Sequence, residues 1–505
     1  MSPLDPRSTA EPGSLPHERP SQTKIVATLG PASQKPETLQ KLIKAGADVF
    51  RINTAHGSES QHQAMADAVR AAERTVGRPV AILADLPGPK IRLGELLVDD
   101  GVDSDGGEYQ CVTGEIIRFV RGHVSSRASD FTTTYEPLVD ELQVGDRVML
   151  VDGTIALRVH SVDADSATCL ITQGGPVRSR QGVNLPGVKL SVPTLGPTDL
   201  KNAAWAARAG IDFISISFVR TADDIRQLRG LLEKQGSTAQ IIAKIEKPEA
   251  LDNLEAIVAE ADGIMVARGD LGVEIDIARV AVVQKQIIAT CHRHCKPVIV
   301  ATQMLDSMQH AKRPTRAEVT DVANAIIDGT DACMLSGESA IGDYPVESVA
   351  MMHRIALATE PYDKQQGKGV RNLLPERPEG CFAQKVPDTF SPVTAAITSS
   401  AATAAEAVDA KLLVVASDSG RTTLRFSKNR CFIPTIGVSN SEAALRRMCL
   451  YWGIIPLPGA PTEDSTHLMR HLVEKDRDTG YLNPGDRIVL VTGTGSTVSQ
   501  DNMMV

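Results

Sequence analysis

Two carboxylates stand at the ends of successive apolar runs and are candidates to bind one metal ion together. Glu246 ends "QIIAKIE" and Asp270 ends "GIMVARGD". Mg²⁺ or Mn²⁺ takes a few carboxylate oxygens from a protein and leaves positions for substrate oxygens and water. The alternative is a solvated salt bridge with Lys244 or Arg268, and spacing alone does not separate the two interpretations.

Lys244 is a candidate to act beside that metal ion. It lies two residues before Glu246, so both side chains leave an extended strand on the same face. A lysine in this place can stabilise a developing enolate or move a proton. The alternative is a structural ion pair.

Two arginines and one loop are candidates to bind phosphate. Arg51 suits a bidentate grip on phosphate oxygens, and Arg92 follows the turn "PGPK". The loop "TLGPAS", residues 28–33, consists mostly of small residues that let a nucleotide approach. Taken singly, arginines at such positions are more often surface charges. Whether they bind phosphate depends on the secondary-structure elements that position them.

Eight short β-branched runs, each followed by helical sequence, must position these side chains. The runs are "KIVATLG", "VFRINTAHG", "VAILADLPG", "DFISISFV", "QIIAKIE", "GIMVARGD", "PVIVATQ" and "ACMLSGE". Eight alternating units predict an α/β fold, a closed (β/α)8 TIM barrel whose strand ends converge on one mouth. The polar residues at those ends are Arg51, Asn53, Asp85, Lys244, Glu246, Arg268, Asp270, Thr302, Gln303, Ser336 and Glu338.

The alternation breaks between the third and fourth runs, where about 120 residues intervene. That is too long for one crossover helix. Strand signals with "DG" and "GG" turns predict a small all-β domain over residues 88–187, inserted as a lid over the mouth. The barrel is then expected over 23–87 and 188–357, and a C-terminal open α/β domain over 358–505.

Composition and charge limit the binding partners and the cellular compartment that we expect for the protein. The formal charge of −9 argues against general affinity for nucleic acid or anionic membranes, and no apolar run approaches the roughly 18 residues of a membrane span. Eight scattered cysteines fit a reducing cytoplasm, and "CHRHC" is interpreted as a helix end rather than a metal site. Residues 1–22, rich in Pro, Ser and charge, predict a flexible tail.

The motifs around the candidate residues resemble those of the pyruvate kinase family, in that family's order and over nearly all of residues 23–495. The matching segments are "KIVATLGPAS", "RINTAHG", "GPKIRLGE", "QGVNLPG", "IIAKIEKPEALDNL", "GIMVARGDLGVE", "VIVATQMLDSM", "RPTRAEVTDVANAIIDGTDACMLSGESAIGDYP" and "SGRTTLRFSKNR". The resemblance implies transfer of the phosphoryl group of phosphoenolpyruvate to ADP, giving pyruvate and ATP in the last step of glycolysis. It also implies Mg²⁺ or Mn²⁺ as cofactor.

The resemblance implies a role for each matching residue. Glu246 and Asp270 would hold Mg²⁺, while Lys244 would offset charge on the transferring phosphoryl group and the enolate. Arg51 would grip phosphoryl oxygens, and Arg92 would lie toward the nucleotide phosphates. The backbone of Ala267, Arg268 and Gly269 and the Thr302 hydroxyl would bind the substrate carboxylate, and Thr302 and Ser336 would order the protonating water. Pro31, Asn53 and His56 would contact ADP. The lid residue Asp152 would approach the metal ion of the nucleotide.

One departure from the family pattern concerns the monovalent cation. Most familiar members require K⁺, bound by an Asn, a Ser, an Asp and a main-chain carbonyl in "RxNFSHG" and "DTKGPEIR". Here Asn53 and Asp85 remain, whereas Ala55 replaces the serine, Leu86 the threonine and Lys90 the glutamate. An ammonium matches K⁺ in charge and approximate size, and lysine at this position marks the K⁺-independent branch of the family. We therefore expect the Lys90 ammonium near Asp85 in place of K⁺, with an exposed turn lysine as the alternative.

The loop "ASDSGRTT" follows an expected strand and opens an expected helix. In the family this loop binds a phosphorylated allosteric effector, which would contact Ser417, Ser419, Gly420, Arg421, Thr422 and Thr423. Asp418 adds a negative charge to the loop, and an ordinary helix cap is the alternative. Two further departures are Gln181 and Ile341, where many members have lysine. Family members are commonly homotetramers, and the resemblance implies one here.

Two competing functions are compatible with parts of this pattern. Other Mg²⁺-dependent barrels that act on phosphoenolpyruvate or pyruvate, such as lyases, also use a Glu and Asp pair, but they lack the inserted lid and the C-terminal loop. A catalytically inactive sensor of phosphorylated metabolites would keep the C-terminal domain and lose turnover. The presence of Arg51, Lys244, Glu246, Asp270 and Thr302 argues against the sensor.

Overall fold

The computed structural model describes residues 21–98, 101–102, 108–122, 125, 127–366, 391–461, 465–476, 482–483, 485–493 and 502–504. Within these ranges, no helix combines the length and apolar character that a bilayer span requires.

The first part of the chain forms three barrel strands with two helices between them. The strands are buried at almost every position because helices cover their outer face and the barrel interior covers the other. Both helices end at a glycine with positive φ, Gly46 and Gly77, which turns the chain back to the next strand. The bounds are β1 Lys24–Thr28, α1 Pro36–Ala45, β2 Val49–Asn53, α2 Glu59–Val76 and β3 Ala81–Asp85.

A small β domain then interrupts the barrel, as the sequence predicts. Its main sheet has the strand order β13-β9-β10-β11-β7-β8, and its core is separate from that of the barrel. The bounds are β4 Leu97–Val98, β5 Gly101–Val102, β6 Glu108–Cys111, β7 Ile116–Val120, β8 Asp130–Phe131, α3 Leu138–Glu141, β9 Arg147–Leu150, β10 Ile155–Val162, β11 Ser166–Gln173, β12 Gly175–Arg178 and β13 Val183–Asn184.

The next part of the chain completes the barrel. The closed strand order is β1-β18-β17-β16-β15-β14-β3-β2, and neighbouring strands are parallel, so the predicted TIM barrel is confirmed. The bounds are α4 Pro197–Arg208, β14 Phe213–Ile216, α5 Ala222–Lys234, β15 Gln240–Ile245, α6 Pro248–Asp252, α7 Leu254–Glu260, β16 Gly263–Ala267, α8 Arg268–Glu274, α9 Val280–Arg293, β17 Val298–Ala301, α10 Arg316–Ile327, β18 Ala332–Leu335, α11 Gly337–Ala340 and α12 Pro345–Gln366, with 3₁₀ turns at Ile277–Arg279 and Asp306–Gln309.

The C-terminal part forms an open sheet with the order β21-β20-β19-β22-β23. Four of these strands are parallel, and the edge strand β23 is antiparallel to β22. The C-terminal α/β architecture is thus confirmed. The bounds are α13 Pro392–Ala407, β19 Leu412–Ala416, α14 Arg421–Ser427, β20 Thr435–Val438, α15 Glu442–Met448, β21 Ile454–Leu457, α16 Ser465–Asp476, β22 Ile488–Gly493 and β23 Asn502–Met504.

A buried ionic cluster joins the C-terminal sheet to the end of the barrel opposite the mouth. The Lys428 ammonium lies 2.7 Å from a carboxylate oxygen of Asp331, the residue before β18, and both side chains are buried. Burial alone would raise the pKa of Asp331, but Lys428 and Arg430 hold it below its usual range. Because breaking such a pair leaves a buried charge, the cluster fixes the C-terminal domain firmly to the barrel.

Some sequence-based expectations about segment ends need correction. Ser21 and Gln22, which the predicted flexible tail included, are buried, and the Gln22 N–H donates to Glu360. Residues 1–20 lie outside the described residues. The expected barrel boundary at residue 357 falls inside α12, which continues to Gln366. The "CHRHC" segment does contain a helix end, because α9 ends at Arg293.

Candidate active site

Asp85 is the centre of the charge network at the barrel mouth. Its carboxylate accepts a hydrogen bond from Arg51 Nε at 2.8 Å and one from the Ser215 hydroxyl at 2.5 Å. The Lys244 ammonium lies 3.5 Å away. Burial would raise the pKa of Asp85, but Lys244, Arg51 and Ser215 hold it below its usual range. Asp85 is therefore ionised and organises two cations beside the mouth.

Lys244 connects three strand ends. Its ammonium lies 2.9 Å from Glu246 and donates to the Ser217 hydroxyl at 2.7 Å, in addition to its pairing with Asp85. Burial favours loss of the proton, yet the Asp85 and Glu246 carboxylates raise the Lys244 pKa above its usual value. The side chain thus presents a permanent positive charge at the mouth.

Glu246 and Asp270 form an oxygen donor pair that fits a divalent cation. Burial raises the pKa of Glu246, Lys244 opposes that rise and the Asp270 carboxylate adds to it. A cation between the two carboxylates would relieve this repulsion, and oxygen ligands suit Mg²⁺ or Mn²⁺. Within the described residues, the pair is not part of a cluster of three or more His, Cys, Asp or Glu side chains. Two protein carboxylates are enough for an ion that retains water and substrate oxygens.

Lys90 occupies a different place from the one the sequence suggests. Its ammonium lies 3.9 Å from Asp270 and 3.9 Å from the lid residue Asp152, whereas the ion pairs of Asp85 are with Arg51 and Lys244. The expected placement of Lys90 beside Asp85 is corrected, because two cations already fill that position. Lys90 instead lies between the lid residue Asp152 and Asp270, one of the two candidate metal ligands.

The oxygens that match the family's K⁺ ligands are engaged within the protein. Asn53 Oδ1 accepts from the Ala55 N–H at 3.1 Å, and the Leu86 carbonyl accepts from the Ser217 hydroxyl at 2.7 Å. Asp85 is occupied as described, and Ala55 has no side-chain oxygen.

The predicted carboxylate-binding group comes together at the ends of β16 and β17. The Thr302 hydroxyl accepts from the Gly269 N–H at 2.7 Å and donates to the Ala301 carbonyl at 2.6 Å. Thr302 has φ +70, a strained conformation for a β-branched residue that occurs mainly at functional sites. The Arg268 side chain supports this corner by pairing with Asp321 at 2.7 Å. Ala267, which ends β16, leads directly into this turn.

Ser336 follows β18 at the same mouth. Its hydroxyl is buried and forms no hydrogen bond within the described part of the chain. Its backbone N–H donates to the Glu338 carboxylate at 2.7 Å, and that carboxylate also accepts from the Leu305 N–H. Glu338 therefore fixes the turn while leaving the Ser336 hydroxyl available.

The residues expected to contact the nucleotide form an accessible rim. Pro31 and His56 are exposed, and Asn53 is half-buried. The Arg92 guanidinium donates to the Arg180 carbonyl at 3.2 Å, a contact within the lid segment. Pro31, Asn53 and His56 are therefore at least partly accessible to a ligand.

The C-terminal loop has the expected strand-to-helix form, with one correction. Gly420 has φ +81 and leads into α14, and Ser417, Ser419, Arg421 and Thr422 are at least partly accessible. The Thr423 side chain is fully buried, so it is not available to a ligand in this conformation.

Three groups of the site were missed by sequence reasoning, and a fourth, Thr28, was assigned only to a candidate nucleotide loop. Ser215 and Ser217 bind Asp85 and Lys244, Thr28 accepts from Arg51 at 3.2 Å, and the Phe218 N–H donates to Glu246 at 2.6 Å. The two serines alternate in the otherwise apolar run "DFISISFV", and that signal was sufficient to find them. A backbone N–H leaves no such signal.

Comparison with known proteins identifies the family. The model "Pyruvate kinase, barrel domain" matches residues 20–349, and "Pyruvate kinase, alpha/beta domain" matches residues 395–505. The chain is 40% identical to a pyruvate kinase of Sporosarcina psychrophila over 94% of its own length and 78% of the relative, and 40% identical to one of Geobacillus stearothermophilus over 94% and 79%. It is 36% identical to a pyruvate kinase of Mycobacterium tuberculosis over 95% and 97%. The chain belongs to the pyruvate kinase family.

Proposed function

We propose that this protein is a pyruvate kinase that works without K⁺. The substrates are phosphoenolpyruvate and ADP, and the products are pyruvate and ATP, as the family membership implies. The observation that carries the K⁺ proposal is the Lys90 ammonium, 3.9 Å from both Asp270 and Asp152. In this proposal the Lys90 ammonium supplies, from a covalently attached side chain, the positive charge that K⁺ supplies in other members of the family.

The state of the K⁺ ligand positions supports the same proposal. A cation of this kind needs several free oxygens. Here the Asn53 and Leu86 oxygens accept internal hydrogen bonds, Asp85 holds Arg51, and Ala55 offers none. These internal contacts and the missing oxygen at Ala55 support the proposal that fixed cations take the place of K⁺ here.

Members of the family generally use a divalent metal, and Glu246 and Asp270 are the residues that would hold it. Bound there, Mg²⁺ or Mn²⁺ would neutralise charge on substrate oxygens, which is the main demand of phosphoryl transfer. Its absence would leave the two carboxylates repelling each other and the substrate.

Lys244 acts in this proposal through its charge. The Asp85 and Glu246 carboxylates raise the pKa of Lys244, which favours the ammonium form, so in this proposal it stabilises the transferring phosphoryl group and the enolate by its charge. Arg51, held in place by Asp85 and Thr28, grips the phosphoryl oxygens from the other side. Arg92 extends this positive surface toward the nucleotide phosphates.

The proton that converts the enolate to pyruvate comes from the hydroxyl side of the mouth. Thr302 and the free hydroxyl of Ser336 are suited to order a water chain to the enolate carbon. In this proposal the backbone from Ala267 to Asp270, with Thr302, binds the substrate carboxylate, which replaces the hydrogen bond between the Gly269 N–H and the Thr302 hydroxyl. Substrate and proton source are thus on the same side of the barrel.

The remaining proposals concern the whole molecule. We propose residues 88–187 as a lid that closes over ADP, with Pro31, Asn53 and His56 beside the nucleotide and Asp152 near its metal. Closure would keep water from accepting the phosphoryl group. The C-terminal loop is a candidate site for a phosphorylated effector, with Asp418 weakening that binding. A cytoplasmic homotetramer is the expected form.

An assay for pyruvate formation tests the proposed reaction and its metal requirement. In buffer whose sole monovalent cation is tetramethylammonium, we expect turnover that requires ADP, stops with EDTA and returns with excess Mg²⁺. Pyruvate formation without ADP would instead indicate lyase chemistry. No turnover under any cation condition would indicate a sensor.

A further inference from the structure

The place where the lid joins the barrel contains polar side chains that the proposed mechanism does not use. A small cavity there is lined by both connections of the lid, Pro89 and Lys90 on the way out and Asn184 on the way back. Lys247 and Glu274 of the barrel line the same cavity. Lid, hinge and barrel thus meet around one group of charges.

Lys247 and Glu274 link the elements that carry the two proposed metal ligands. The Lys247 ammonium lies 2.7 Å from Glu274, whose carboxylate side chain is fully buried. Lys247 follows Glu246 directly in sequence, and Glu274 ends α8, whose first turn carries Asp270. The ion pair therefore links the segment that follows β15, which carries Glu246, to α8, which carries Asp270.

Asn184 connects the same pair to the lid. Asn184 and Glu274 line the same small cavity, and Asn184 opposes the rise in the Glu274 pKa that burial causes. Asn184 belongs to β13, which pairs with β9, and β9 leads into the turn that contains Asp152. A lid movement that displaces β13 therefore acts on Glu274.

The same helix touches the lid a second time. Gly153, in the turn after β9, lies so close to α8 that an added Cβ would be 3.3 Å from a methyl group of Val273. The lid thus approaches α8 closely at Val273 and, through Asn184, borders the same cavity as Glu274. The helix that presents Asp270 is also the surface on which the lid closes.

We propose that Lys247 is a positioning residue, which through Glu274 and Asn184 sets the distance between Glu246 and Asp270 and couples that distance to the position of the lid. The proposal rests on the metal pair proposed above and is independent of the K⁺ question. Without the Lys247 charge, Glu274 is a buried carboxylate that has lost its ion pair. Either α8 shifts to expose it, or Glu274 takes up a proton and its contacts change. Either change moves Asp270 relative to Glu246 and loosens β13.

The test measures metal binding and lid mobility directly. We expect Lys247→Met to weaken Mn²⁺ binding to the free enzyme, measured by electron paramagnetic resonance of unbound Mn²⁺, by about 10-fold or more. Hydrogen–deuterium exchange should become faster in residues 183–188 and 268–274 together. Lys247→Arg keeps the pair and should bind Mn²⁺ within about threefold of the unmodified enzyme.

Two controls make the result specific. Lys428→Met breaks an ion pair of the same length with the buried Asp331 at the end of the barrel opposite the mouth, so it should leave Mn²⁺ binding unchanged. Glu246→Gln reports on the metal pair itself and should abolish Mn²⁺ binding. If Glu246→Gln binds Mn²⁺ normally, the metal pair is wrongly placed, and the exchange measurement still tests the coupling to the lid.

The proposal is overturned if Lys247→Met loses thermal stability but keeps the Mn²⁺ affinity and exchange rates of the unmodified enzyme. In that case the ion pair only stabilises the fold. Should Lys247→Met not fold, the double variant Lys247→Met with Glu274→Gln removes the unpaired charge. It should fold and still bind Mn²⁺ about 10-fold more weakly, and normal binding by it contradicts the proposal.

Discussion

Replacing Lys244 with methionine should lower kcat by about a thousandfold while the barrel remains folded. The side chain is almost fully buried and pairs with Asp85 and Glu246, so its charge acts in a weakly screened site. In the variant Asp85 keeps Arg51 and Ser215 as partners and Glu246 keeps the Phe218 N–H, which preserves the local structure. Steady-state kinetics and circular dichroism of the same sample separate the loss of catalysis from unfolding.

The pH dependence distinguishes a charge role from a proton-donor role for Lys244. Because its pKa lies above the usual value for lysine, the unmodified enzyme should show no alkaline loss of kcat from this group up to about pH 10. An alkaline limb below that pH that disappears in Lys244→Met would mean that Lys244 itself donates the proton.

Replacing Lys90 with glutamate should lower kcat/KM by about 100-fold. The change replaces a positive charge with a third negative charge beside Asp152 and Asp270, which both lie 3.9 Å from the ammonium. The effect is smaller than for Lys244 because Lys90 is about one third exposed and water screens it. Activity measured over a range of Mg²⁺ concentrations should show part of the loss as weaker metal binding.

A matched pair of variants tests whether Lys90 replaces the monovalent cation. KCl should restore little activity to Lys90→Glu, because Ala55 offers no side-chain oxygen. The double variant with Ala55→Ser regains that oxygen, and KCl should stimulate it about 10-fold. Full activity of Lys90→Glu in the absence of K⁺ would show that Lys90 is an ordinary exposed lysine.

The barrel and its mouth follow from the sequence because the relevant signals are local. Each strand run is apolar and ends in a polar residue, and parallel strands in a closed barrel must bring those ends together. Lys244 near the end of β15 and Glu246 directly after the strand are two residues apart and could therefore be assigned to one face; their charged groups lie 2.9 Å apart. The lid could also be predicted from the sequence, because an insertion of about 120 residues with its own turn signals is too long for a single crossover helix.

The position of Lys90 did not follow from the sequence, for a physical reason. Charge complementarity predicted a cation near Asp85 but not which one, and Arg51 and Lys244, on neighbouring strands, already fill that place. A lysine on the hinge has a flexible four-carbon side chain, so its ammonium can reach carboxylates other than Asp85. Here it lies near Asp152 and Asp270. The proximity of the lid residue Asn184 to Glu274 was missed for the same reason, since it depends on how the lid docks on the barrel.

The most direct test of the central claim is the response of the unmodified enzyme to KCl. Pyruvate formation is measured in buffer free of Na⁺ and K⁺, with tetramethylammonium chloride replaced stepwise by KCl at constant ionic strength and saturating Mg²⁺. With Lys90 supplying the charge, we expect kcat/KM for phosphoenolpyruvate to change by less than about twofold across the titration. A stimulation of about 10-fold or more would contradict the account, because it would mean that this site still binds the cation that Lys90 is proposed to replace.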